Sequence, residues 1–108
     1  MAFGFPAFHK DRKTLTLSVE ETKAIAIEIL VEFEWTEIGI HPFALDYKTT
    51  GGILTSGERL YINITETEII LRSECIFMSQ FLDFGKNKAN IDRFWEAYEA
   101  KLKNFKKV

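Results

Sequence analysis

The stretch Ser79-Gln80-Phe81-Leu82-Asp83-Phe84-Gly85-Lys86-Asn87-Lys88-Ala89-Asn90-Ile91 gathers the residue types best suited to hold an anion. Gly85 permits close backbone approach, Lys86 and Lys88 bring positive charge, and the free amides at the start of a following helix point the same way. Gly85, Lys86, Asn87 and Lys88 are therefore candidate ligand-binding residues for a phosphate or carboxylate. The same residues also suit a plain helix start, with Asn87 as its cap, Asp83 holding turn amides and the lysines in water. The Asp83-Phe84-Gly85 triplet is not a kinase signature, because the chain has no Gly-rich phosphate loop and falls far short of kinase length. Gly51-Gly52 and Gly57 read as hairpin glycines and form no phosphate loop.

Acid, base and nucleophile chemistry has few carriers. His41 would serve as a base beside Glu37 or Asp46, which strand alternation places on one face, yet no nucleophile accompanies them. Cys75 falls on the inward side of a strand, where a thiol behaves as a small hydrophobe. Glu28 and Glu32 are one helical turn apart, without a histidine or third acid, and read as the wet side of a helix. No catalytic set, metal set or cofactor is expected from these residues. One cysteine also excludes an intramolecular disulfide framework.

The elements that would position these groups follow from periodicity. Lys13–Ser18 alternates polar and apolar residues as a half-buried strand does. Ser18 and Glu21 form a capping-box pattern, which predicts a helix over 19–34 with Val19, Ala26, Ile29, Leu30 and Phe33 as its apolar stripe. Ile25, Ile27, Ile29, Val31, Phe33 and Trp35 also fit a period of two; the capping pattern and the absence of a turn residue favour the helix. Strands are predicted over 35–41, 43–48, 59–65 and 68–75. Ile91, Phe94, Trp95, Tyr98, Leu102 and Phe105 recur at helical spacing and mark a second helix. The order β-α-β-β-β-β-α, with short connections between strands, implies an α+β fold with a single antiparallel sheet and two helices on one face, TATA-box-binding-protein-like or a reduced helix-grip. Residues 14–108 form the single domain, and residues 1–13 an apolar, aromatic N-terminal arm.

Composition bounds the function. With 108 residues, 46% of them hydrophobic and 28% charged, the chain is one globular domain. The net charge of -2 is unevenly spread: residues 86–108 hold seven bases and three acids, whereas 14–85 hold twelve acids and four bases. An acidic body argues against a nucleic-acid partner. No targeting segment or spanning run of apolar residues is present, so a soluble, cytoplasmic product is expected. Phe3, Phe5 and Phe8 are costly to leave in water, and are expected to dock on their own domain or on a second copy.

Ile70-x-x-Ser73-Glu74-Cys75, Gln80, and Asp83-Phe84-Gly85-Lys86-Asn87-Lys88-x-Asn90-Ile91-x-x-Phe94, with Trp35-x-x-Ile38 upstream, form a further pattern over residues 14–105. It resembles a small bacterial domain without assigned activity that occurs alone and on the cytosolic side of multi-span, including rhomboid-like, membrane proteins. The resemblance implies a non-catalytic accessory role. The chain departs from it by its Phe-rich arm and by having no membrane segment. The expected function is a soluble, non-enzymatic binding or interaction module that forms homo-oligomers through the arm or an exposed sheet edge. The alternative is a carrier of a small hydrophobic or anionic ligand in a cleft between the sheet and the second helix.

Overall fold

Ser18 makes the helix start that its spacing from Glu21 requires. Its hydroxyl accepts from the Glu21 amide at 3.1 Å, and the Glu21 carboxylate accepts from the Ser18 amide at 3.1 Å. This comes from a computed structural model, which describes residues 8–49, 57–75 and 86–106. The elements are β1 (Phe8–Thr14), α1 (Val19–Glu32), β2 (Thr36–His41), β3 (Ala44–Lys48), β4 (Glu58–Ile64), β5 (Glu68–Cys75) and α2 (Lys86–Lys106). The fold is α+β, with one five-stranded antiparallel sheet in the order β1-β5-β4-β3-β2. Strands β2 to β5 are a meander, and α1 carries the chain from one edge strand to the other.

The helical spacing of α1 prevails over its period-two alternative. Thr22, Ile25, Ala26, Ile29 and Leu30 are its buried residues, set at helical intervals. Beyond Phe33 the helix closes with Trp35 N–H donating to Leu30 O at 3.2 Å and Glu34 N–H to Val31 O at 3.0 Å. This closure needs a left-handed residue, and Glu34 occupies that position at φ 59°. A side chain there is strained by ~1–2 kcal/mol, partly offset by the extra freedom that glycine has when unfolded. Glu34→Gly is accordingly expected to stabilise the fold by roughly 0.5–1 kcal/mol in urea unfolding.

Column by column, β4 and β5 carry the core: Leu60, Ile62, Ile64, Ile69 and Leu71 are buried beneath the helices, together with Leu45 and Tyr47 of β3. From α2, Ile91, Phe94, Trp95, Tyr98 and Leu102 close over them, while Phe105 is exposed. The rings of Phe94, Trp95 and Tyr98 lie 5.7–6.2 Å apart, within the range of favourable aromatic contact.

The first strand lies earlier than its apolar alternation suggests. β1 begins at Phe8, within the expected arm, and ends at Thr14. Leu15 and Leu17 instead pack against the core from the connection into α1. The sequence His9-Lys10-Asp11-Arg12-Lys13 has no apolar alternation because its helix-facing positions are polar groups with specific partners. Asp11 and Lys13 pair with Leu71 and Ile69, so they share the inner face. The Asp11 carboxylate accepts from Trp95 Nε1–H at 3.0 Å, and Lys13 Nζ lies 5.0 Å from the Trp95 ring centre. Polar contacts therefore fasten the strand to α2.

Candidate functional site

Where β4 begins, its inward column starts with an acid. Alternation puts Glu58 in line with Leu60, Ile62 and Ile64, and Glu58 is only 3% exposed. Burying a carboxylate requires partners, and three elements supply them. The hydroxyl of Thr49, just after β3, lies 3.2 Å from Glu58 Oε1 and also accepts from the Glu58 amide at 2.8 Å. Asn90 in α2 donates from Nδ2 to Glu58 Oε1 at 2.8 Å and to Ser73 Oγ at 3.2 Å. Ser73 in β5 donates in turn to Asn87 Oδ1 at 2.8 Å, and Asn87 is fully buried. The second carboxylate oxygen, Glu58 Oε2, is buried and meets no hydrogen-bond partner among the described residues.

This cluster absorbs part of the sequence-derived motif. Ser73, Asn87 and Asn90 all belong to it, although Asn87 stands inside α2 rather than capping it. Lys88 points to water, with a side chain 65% exposed, and pairs with Asp92 at 2.6 Å. Lys86 opens α2, and Gly85 lies outside the described residues. Phe3 and Phe5 also lie outside them, and Phe8 opens β1. Thr49 and Glu58 went unread in the sequence because one follows a strand end and the other precedes the first alternating residue. A threonine and an acid in phase with the inward apolar columns of β3 and β4 were the available signal.

The other candidates separate. His41 pairs with Ala44 and Gly39 with Asp46, but the register shifts between Glu37 and Gly39, so Glu37 pairs with Tyr47 on the helix side. This bulge corrects the expectation that Glu37 and His41 share a face. Asp46 is engaged by Arg59, which donates to its two oxygens at 2.9 and 2.6 Å and is thereby held above the ordinary arginine pKa. Glu28 and Glu32 lie on the exposed side of α1, as expected, and both receive Lys101 Nζ of α2, at 2.7 and 2.8 Å. Those two hydrogen bonds push the Lys101 pKa up. Among the described residues, no group of three or more histidine, cysteine, aspartate or glutamate side chains is placed to hold a metal ion, and no helix is long and apolar enough to cross a membrane.

The edge strand β2 has a different character. Ile38 and Ile40 are 48% and 42% exposed, and Phe43 in the following turn is 60% exposed. On the sheet face that the helices leave uncovered, Pro42, Phe43, Ala44, Asn63, Ile64 and Ile70 help line an open groove of about 700 Å³. Comparison with protein-family models, with curated proteins and with solved structures finds no match to this chain.

Proposed function

We propose that the chain is a non-enzymatic interaction module that associates with a second copy of itself by pairing edge strand β2. The observation that carries this reading is the exposure of Ile38, Ile40 and Phe43 along one edge of the sheet. Edge strands are usually blunted by charge, and the opposite edge is: β1 carries Lys10, Asp11, Arg12 and Lys13. β2 has Glu37 as its one acid and no lysine or arginine, so two copies bring little repulsion. An antiparallel edge meeting itself across a two-fold axis presents the same patch from both sides, which favours a second copy as the occupant. The separation of His41 from Glu37, and the engagement of Asp46 by Arg59, support a role without catalysis. The carrier alternative has less support, since Phe94 and Tyr98 are fully buried between α2 and the sheet. The motif resemblance and the cytoplasmic setting accompany this proposal without carrying it.

Sedimentation equilibrium tests it. The native protein is expected to be dimeric, and Ile38→Lys/Ile40→Lys monomeric with unchanged far-UV circular dichroism. A chain lacking residues 1–7 remains dimeric if β2 is the contact, and becomes monomeric if Phe3 and Phe5 make it. A monomeric native protein overturns self-association altogether.

A further inference from the structure

Glu58 lies at the opposite end of the sheet from the groove and serves neither the core nor the β2 edge. We propose that its buried carboxylate is the receptor for a primary ammonium group, reached through the unpartnered oxygen Oε2. Oε1 already takes the Thr49 hydroxyl and the Asn90 amide, and both of these partners are neutral. Among the described side chains no lysine or arginine pairs with Glu58, and Lys88, near the start of α2, is engaged with Asp92. An uncompensated buried carboxylate is costly, and a charged N–H donor is its strongest complement.

The geometry selects among cations. A guanidinium binds as a fork to two carboxylate oxygens, and only one is open here. A divalent ion needs several oxygen ligands and, typically, more than one negative charge; among the described residues no group of three or more acid, histidine or cysteine side chains is placed to hold one. A primary ammonium matches the single charge and has three donors, one for Glu58 Oε2 and the others for nearby oxygens, of which Thr49 Oγ1, Ser73 Oγ and Asn87 Oδ1 are the cluster's own. The ligand class is thus an alkylamine, free or as a lysine side chain.

Thermal unfolding with n-butylammonium chloride, against sodium chloride and tetramethylammonium chloride at equal ionic strength, tests the site. The native protein is expected to gain roughly 5 °C in Tm at about ten times the Kd of butylammonium, and to gain nothing from tetramethylammonium, which has no N–H. Glu58→Gln is expected to lose the response. Nα-acetyl-lysine amide distinguishes the sources: a shift with it admits a lysine side chain, and a shift with butylammonium alone restricts the site to small free amines. Should Glu58→Gln fail to fold, the side-chain carboxyl ¹³C resonance of Glu58 in the native protein replaces it, and is expected to move on titration with butylammonium. An unmoved Tm and resonance, or an equal Tm shift in Glu58→Gln, overturns the proposal. Dimerisation through β2 is read separately by sedimentation, so either result stands without the other.

Discussion

Replacing Asn90 with leucine is expected to lower the unfolding free energy by about 3 kcal/mol. Asn90 donates to both Glu58 and Ser73, and its loss leaves the buried acid with the Thr49 hydroxyl as its remaining side-chain partner among the described residues. The cost comes from the stranded charge more than from the bonds themselves. In a Glu58→Leu background the same replacement should therefore be nearly neutral, because two apolar groups of similar volume then face each other. Urea unfolding of the two single variants and the double variant closes the cycle. A coupling energy of about 3 kcal/mol is expected; a value near zero would mean that Glu58 and Asn90 contribute independently.

Stability should also fall steeply as the solution becomes alkaline. Tyr98 and Tyr47 are buried, and burial is the main reason that both hydroxyls titrate above the ordinary tyrosine range. For Tyr47, the neighbouring Glu37 adds to the effect. The unfolded chain gives up these protons first, so it is favoured as pH rises. The stability that the neutral hydroxyls represent is whole below pH ~10 and is lost between the unfolded and folded pKa values, at up to about 1.4 kcal/mol per pH unit for each group. Lys101, also raised, acts in the same direction. Tyr98→Phe should flatten the alkaline limb of a stability-against-pH curve measured by urea unfolding. It should cost little at neutral pH, because the Tyr98 hydroxyl is buried without a partner of good geometry. An unchanged limb in Tyr98→Phe and Tyr47→Phe would place the alkaline transition elsewhere.

What the sequence disclosed follows the kind of force at work. The start of α1 at Val19 was legible because Ser18 and Glu21 satisfy each other locally, and β5 matched its expected span, Glu68–Cys75, because its alternation faces a real core. β1 lies earlier than its apolar alternation suggests because Asp11 and Lys13 are held by Trp95, more than eighty positions away, and no local pattern reports such a contact. The bulge at Ile38 was equally hidden, and it alone separates Glu37 from His41. Of the polar cluster, the motif residues Ser73, Asn87 and Asn90 stand out as a pattern in the sequence. That they converge on Glu58 depends on α2 lying across the ends of β4 and β5, a tertiary fact.

The strand order has a consequence for synthesis. β1 pairs with β5 through partners 54 to 66 positions along the chain, from Thr14 with Glu68 to Phe8 with Glu74. A growing chain that has delivered α1 and the first three strands of the meander still holds β1 without its neighbour, and Trp95 arrives later still. The first strand of the sheet to be made is thus among the last to be locked, and its dense charge keeps it in water while it waits.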